Sequence, residues 1–254
     1  MRKRCFSCSI FISLHPKMSN DSFEFKQFIV HQERCAMKVG TDGTLLGAWA
    51  DLQVDEGRVL DIGTGTGLIA LMMAQRFPKC YVTAVDIDGD AVNQASDNVA
   101  SSPFSDRIKV IQSDISYYED AESFDTIVTN PPYFRMSLQC PDKQRTIARH
   151  SDTLSYANLM RSAWRLLKDE GQFSLIIPDD CKSELLSEAF LVGFFMAKEF
   201  AIRTTTMKKS PKRFLLEFRK YPVNEIIKKE VSLIDFSNLR TQWYQTLTND
   251  FYIK

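Results

Sequence analysis

Asp61-Ile62-Gly63-Thr64-Gly65-Thr66-Gly67 is the stretch on which the fold turns. Arg58-Val59-Leu60 before it reads as a buried strand, and Leu68-Ile69-Ala70-Leu71-Met72-Met73 after it begins a helix expected from Leu68 to Phe77. A strand that ends in an acid and turns through three glycines into a helix directs backbone N–H groups and the positive helix end at a ligand. Glycine is required where that ligand touches the backbone. The spacing is Gly63-x-Gly65-x-Gly67 and position 68 is Leu, so the dinucleotide pattern is not met and a pyrophosphate cofactor is disfavoured.

Working outward, strands and helices alternate. Tyr81 to Val85 is a strand, Gly89 to about Val99 a helix, and Ile108 to Gln112 and Phe124 to Thr129 are strands. Leu154 to Leu167 and Glu184 to Val192 read as helices, Phe173 to Ile177 and Phe194 to Ile202 as strands. Arg213 to Phe218 is a further strand, alternating Phe214, Leu216 and Phe218 against Arg213, Leu215 and Glu217. Such a rhythm predicts an α/β, doubly wound, mostly parallel sheet with crossover helices on both faces. Before it, Phe23, Phe25 and Phe28 mark an extended aromatic stretch, and Thr41 or Asp42 is placed to cap a short helix.

The chain has 254 residues, 44% of them hydrophobic, enough for one sizeable core, and a single domain over 19–254 is expected. Residues 1–18 read as a disordered extension or an upstream-start segment. Met1-Arg2-Lys3-Arg4 and the short apolar run after it imitate a secretory leader, but no small-residue cleavage site follows and the run is too short to span a bilayer. Six scattered cysteines suggest no disulfide framework, and with three histidines they form no metal-ligand spacing, so no metal, no membrane, a cytoplasmic location and a monomer are the expectations.

Net charge is zero but unevenly spread: Asp51 to Asp125 holds 14 acids against 5 bases, leaving that segment at −9 and the rest at +9. The sharpest basic stretch contains Arg203, Lys208, Lys209, Lys212, Arg213, Arg219 and Lys220 against Glu217 alone. It reads either as a phosphate-binding patch or as a solvated loop with a lysine-protected edge strand.

The strand Phe124 to Thr129 closes in Asn130-Pro131-Pro132-Tyr133. An exocyclic amine or a carboxamide is a poor nucleophile because its nitrogen lone pair is delocalised. The Asn130 side-chain oxygen and the Pro131 carbonyl can each accept one of its N–H groups and direct the lone pair, while Pro131 and Pro132 stiffen the loop. Tyr133 and Phe134 are placed to stack on a planar substrate, which in a duplex or stem-loop must swing out of its stack.

The glycine turn resembles the first motif of class I methyltransferases, which hold S-adenosyl-L-methionine. That resemblance implies a Rossmann-like, mostly parallel seven-stranded sheet with an antiparallel last strand. In it Asp61, Gly63, Gly65 and Gly67 cradle the methionine end of the donor. Asp86, at the end of the next strand, takes the ribose hydroxyls, Asp88 being the better candidate for the helix cap. Asp114 meets the adenine in the family, although a plain turn aspartate would look the same.

With Met37-Lys38-Val39-Gly40-Thr41-Asp42-Gly43-Thr44-Leu45-Leu46-Gly47-Ala48-Trp49 ahead of it, Asn130 to Phe134, Arg145, Ala148-Arg149-His150 and the closing Leu247-Thr248-Asn249-Asp250-Phe251-Tyr252, the chain is similar to the bacterial tRNA1(Val) adenine-N6-methyltransferases. The resemblance implies methylation of N6 of the adenine 3′ of the anticodon, with tRNA as partner. It places Thr41 and Asp42 over the donor and Arg145, Arg149 and His150 on the RNA; Lys208, Lys209, Lys212 and Arg213 are expected to add to that grip. The glutamine N5-methyltransferase of peptide release factors shares the Asn-Pro-Pro-Tyr tip and is the alternative, and a non-catalytic binding module is a third reading.

Overall fold

The structure, a computed structural model, describes residues 21–35, 37–132 and 154–253. Tyr133, Phe134, Arg145, Arg149, His150 and the segment 1–18 lie outside the described residues.

A hairpin of β1 (Ser22–Glu24) and β2 (Ile29–His31) leads into α1 (Thr41–Trp49). Then come β3 (Arg58–Ile62), α2 (Leu68–Arg76), β4 (Tyr81–Asp86), α3 (Gly89–Ala100), β5 (Ile108–Gln112) and β6 (Phe124–Thr129). After the undescribed stretch the chain continues through α4 (Tyr156–Leu166), β7 (Leu167–Pro178), α5 (Asp179–Val192), β8 (Phe195–Thr205), β9 (Arg213–Arg219), β10 (Ile227–Ile234) and α6 (Gln242–Thr248). Among the described residues the main sheet has eight strands in the order β10-β8-β9-β7-β6-β3-β4-β5. Every neighbouring pair is parallel except those made by β9, which runs against β7 and β8.

The sheet has one strand more than expected. β10 is an edge strand paired only to β8, and its first half, Ile227-Lys228-Lys229-Glu230, is exposed, so it carries no apolar run by which to recognise it. The antiparallel strand is therefore not the last in the chain. The alternation seen in β9 also misleads, because Phe214 to Arg219 are all buried: β9 lies inside the sheet and both of its faces are covered.

Two hydrophobic clusters cover the sheet, one built from α1, α2, the hairpin and the C-terminal residues, the other from α4 and α5. In α2 Leu68 through Ala74 are all buried, since the sheet lies on one side and α1 on the other. The helices approach closely at Gly47, where an added Cβ would stand 2.7 Å from the Met72 sulfur. On the other face Phe194 packs edge-on to Trp164 with ring centres 5.1 Å apart and tilts against Phe173 at 5.6 Å.

The C-terminal residues close onto the hairpin: Lys26 N–H donates to the Phe251 carbonyl at 2.8 Å, and Tyr252 stacks on Phe25 with ring centres 6.0 Å apart. Because β3, β4, β5 and β6 all run the same way, their C-terminal ends bring the glycine turn, Asp86, Asp114 and Asn130 to one edge of the sheet, where ligands bind in such folds.

Candidate active site

The glycine turn is held from beneath by the neighbouring strand. Gly63 and Thr64 N–H groups donate to the Val85 carbonyl at 2.8 and 3.1 Å, and Gly65 N–H donates to Asp86 Oδ2 at 2.8 Å. Gly65 stands at φ +56, and a Cβ built there meets nothing within 4 Å. The left-handed backbone thus turns an open face to the cavity. Asp86 Oδ1 accepts the Asp88 N–H at 3.1 Å, so each carboxylate oxygen keeps one further lone pair for a ligand. Asp88, rather than Asp86, caps α3, accepting the Asp90 N–H at 3.0 Å.

A cavity of about 840 Å³ opens over this turn. Thr41, Asp42, Gly63, Gly65, Asp86, Asp114, Asn130 and Pro132 all line it, so one space gathers the expected donor residues and the tip. Asp61, Gly67 and Pro131 are not on its wall. Asp61 is fully buried inside the turn, where Oδ2 accepts from the Thr64 hydroxyl at 2.7 Å and Ala70 N–H at 3.2 Å, and Oδ1 has no hydrogen-bond partner among the described residues. Burial pushes its carboxyl up to about 7, against the pull of the Thr64 and Ala70 hydrogen bonds and with a further push from Asp86. A carboxylate sealed behind the cavity wall acts on a ligand through its field, not by touching it.

Neither Thr41 nor Asp42 caps α1; Gly40 occupies that position. Asp42 instead accepts from Arg213 Nε at 2.6 Å, which ties the first turn of α1 to the start of β9. Arg213 is therefore engaged by Asp42, its Nη1 also donating to the Lys212 carbonyl at 2.9 Å, while the Lys208, Lys209 and Lys212 side chains stand exposed in the β8–β9 loop. The other end of the expected patch is elsewhere. β9 descends from the pocket edge, so Arg219 lies at the far end of the sheet, buried against Glu217 Oε1 at 2.8 Å and Gln172 Oε1 at 2.8 Å, and Lys220 donates to the Leu167 carbonyl. Arg203 pairs with Glu230 on β10 at 2.9 Å.

Asp114 adopts the turn geometry its sequence context allows, Oδ1 accepting the Ser116 N–H at 2.8 Å, while also lining the cavity beside Ile115 and Tyr117. The Thr129 hydroxyl donates to the Ile62 carbonyl at 2.8 Å, pinning the end of β6, and hence Asn130, to the root of the glycine turn.

Several residues that shape the site carry no motif. Asn98 is completely buried on α3; its amide donates to the His31 carbonyl at 2.8 Å and the Thr66 carbonyl at 2.9 Å and accepts the His31 N–H at 2.9 Å. One turn earlier Gln94 accepts the Arg34 N–H at 3.2 Å, and Gln32 accepts the Val39 N–H at 2.7 Å. Together they hold the segments on which Cys35, Met37, Lys38 and Val39 line the cavity. Their one signal in the sequence is a pair of amides four apart on the Ala91, Ala95 and Val99 face of α3. Asn158, on the first turn of α4, also lines the cavity.

Among the described lining residues Asp42, Asp86, Asp88 and Asp114 face a single base, Lys38. Burial, then Asp86, Asp88 and Asp90, push the Cys35 thiol up to about 11, which registers the same negative field. An acidic cavity with an open glycine backbone fits a cationic ligand of a few hundred Å³ and rejects a pyrophosphate. Among the described residues no cluster of histidine, cysteine and acid suits a metal ion.

Comparison with known proteins agrees with this architecture. Residues 42–206 match the family model described as the methyltransferase small domain. A tRNA1(Val) (adenine(37)-N6)-methyltransferase of Phocaeicola vulgatus is 50% identical over 93% of this chain and 99% of its own length. One of Trichodesmium erythraeum is 43% identical over 93% of this chain and all of its own. Among solved structures, a predicted O-methyltransferase of Agrobacterium tumefaciens superposes with a TM-score of 0.65 at 21% identity, covering 83% of this chain and 96% of its own, and it shares the fold. With so much of its length aligned at such identity, the chain belongs to the tRNA1(Val) (adenine(37)-N6)-methyltransferase family.

Proposed function

We propose that the protein methylates N6 of adenine 37 in tRNA1(Val), with S-adenosyl-L-methionine as donor. The observation that carries this reading is an acidic cavity whose wall includes both the glycine turn and Asn130, fixed to each other through Thr129 and Ile62. Bound there, S-adenosyl-L-methionine supplies an electrophilic methyl group on a sulfonium.

The residues divide the remaining work. Gly63 and Gly65, lacking a Cβ, leave open space for the methionine end, and the buried Asp61 carboxylate contributes a negative field beneath its ammonium. Asp86 keeps lone pairs for two ribose hydroxyls, and Asp114 with Ile115 and Tyr117 borders the space left for the adenine. At the tip the Asn130 amide oxygen and the Pro131 carbonyl each accept one N–H of the target amine, so the nitrogen lone pair faces the cavity. No general base is required, since the methylated ammonium loses its extra proton to water. Tyr133 and Phe134 stack on the flipped base; Arg145, Arg149 and His150, with Lys208, Lys209 and Lys212, hold the RNA. Arg213, paired to Asp42, braces the donor wall instead.

The test is methyl transfer to total tRNA lacking this modification, followed by nucleoside mass spectrometry. N6-methyladenosine in one valine tRNA is the expected product; label in a peptide release factor and none in RNA would move the activity to the glutamine enzyme. Asn130→Ala should abolish turnover while changing donor affinity less than about threefold, because the amide acts on the acceptor.

A further inference from the structure

β10 ends at the same edge of the sheet as the catalytic tip, and the turn that follows is built in an unusual way. Asp235 organises it: Oδ1 accepts Ser237 N–H at 2.8 Å and Leu239 N–H at 3.0 Å, the Asp235 N–H donates to the Leu239 carbonyl at 2.8 Å, and Asn238 N–H donates to the Asp235 carbonyl at 3.2 Å. Asn238 takes a left-handed φ of 64 to close it. A turn so thoroughly hydrogen-bonded fixes the direction in which each side chain leaves the backbone, yet it presents Phe236 to solvent, 84% exposed. Leu239 and Met207 beside the same edge are 64% and 80% exposed. Burial gives no reason for an aromatic ring there.

The turn is fastened to the basic loop. Ile234 pairs with Thr205 at the ends of β10 and β8, and Thr206 N–H donates to the Ile234 carbonyl at 2.9 Å. The loop starting at Thr206 carries Lys208, Lys209 and Lys212, all exposed and none in an ion pair among the described residues. An open aromatic face beside three solvated lysines is the combination that binds unpaired nucleotides: the ring stacks on a base of any sequence and the lysines meet the phosphates.

We propose that the Asp235–Leu239 turn and the β8–β9 loop form a docking surface for unpaired nucleotides of the RNA substrate, with Phe236 as the stacking residue. The inference rests on the RNA reading above and adds a contact outside the catalytic tip. β10 stands four strand positions from β6, about 19 Å at the usual spacing between strands. At about 3.4 Å per stacked nucleotide that is five or six nucleotides from the methylated base, within the reach of one stem-loop.

The experiment measures binding of fluorescently labelled, unmodified tRNA1(Val) to the full chain across a salt series, alongside methylation kinetics and donor affinity. Phe236→Ala should weaken tRNA binding roughly tenfold, leave kcat and donor affinity unchanged and keep the salt slope; Phe236→Tyr should restore binding. Replacing Lys208, Lys209 and Lys212 together by Ala should flatten the slope by about 2, at about 0.7 per phosphate contact on a single strand. If the wild-type chain methylates tRNA and Phe236→Ala binds it equally well, the docking surface is refuted and the methyltransferase reading stands. A Phe236→Ala effect confined to dissolving a dimer of the chain would also refute it. If the wild-type chain neither binds nor methylates tRNA, the reading on which the surface rests fails with it.

Discussion

Asp61→Asn gives the sharpest test of how the donor site is charged. The wild-type carboxyl is fully buried, held by Thr64 and Ala70 through one oxygen, unpartnered at the other and pushed up to about 7 from 3.8. Because the folded pKa lies above the unfolded one, the stability this group contributes is complete below about pH 4 and is lost as pH rises toward 7. A separation of roughly three units at about 1.36 kcal/mol each bounds that loss at about 4 kcal/mol. The asparagine keeps the shape and the oxygen that accepts from Thr64 and Ala70 but cannot ionise. The variant should therefore match or exceed wild type in stability at pH 8 and lose the fall between pH 4 and 7.

A cationic ligand beside the turn should favour the ionised form and offset that loss, so S-adenosyl-L-methionine should stabilise wild type more than Asp61→Asn at pH 8. Denaturant unfolding from pH 4 to 8, with and without S-adenosyl-L-methionine, reads both effects. Wild-type stability that stays level or rises over this interval relative to the variant would refute the account of Asp61.

Three further outcomes follow from the same geometry. Asp86→Ala removes the acceptor that orders Gly65 N–H and Asp88 N–H and, with it, the two charge-assisted hydrogen bonds proposed to the ribose hydroxyls; at about 1.5 kcal/mol or more each, their loss should lower donor affinity about a hundredfold by calorimetry; a change below threefold would contradict its placement. Gly65→Ala should cost about 1–2 kcal/mol of stability from its left-handed backbone and lose most donor binding, because the methyl projects into open cavity; unaltered donor affinity would show that the ligand passes elsewhere. Arg213→Ala should raise KM for S-adenosyl-L-methionine severalfold and leave the salt dependence of tRNA binding alone, since its guanidinium is held by Asp42; the reverse pattern would return Arg213 to the RNA.

The parts of the fold most legible in the sequence were those whose local signal matched their burial. The helix from Leu68 begins where expected because Gly67 ends the turn at φ +81, and the alternation of strands and helices through Thr129 recurs in the sheet. β10 was not legible, because an edge strand bonded on one side needs no apolar run. Charge in sequence was a poor guide to charge in space: Lys208 and Arg219 are close along the chain, but β9 carries them to opposite ends of the sheet. In the site, the shared position of Asp86, Asp114 and Asn130 on the cavity wall was readable because strand ends converge on one edge. The inward turn of Asp61 was not, since Thr64 and Ala70 both donate to one of its oxygens only after the loop has closed. The brace from Asn98 is as hard to read: its four-residue spacing from Gln94 marks a buried polar face of α3 but does not name the distant backbone that satisfies it.

The central claim, that the tip beside the acidic cavity methylates adenine 37, is tested most directly with paired transcripts of tRNA1(Val) that differ only in adenine or guanine at position 37, each incubated with S-adenosyl-L-methionine carrying a labelled methyl group. The account predicts one methyl per molecule of the adenine transcript, recovered as N6-methyladenosine, and none in the guanine transcript. Equal labelling of both, or of neither, would contradict it.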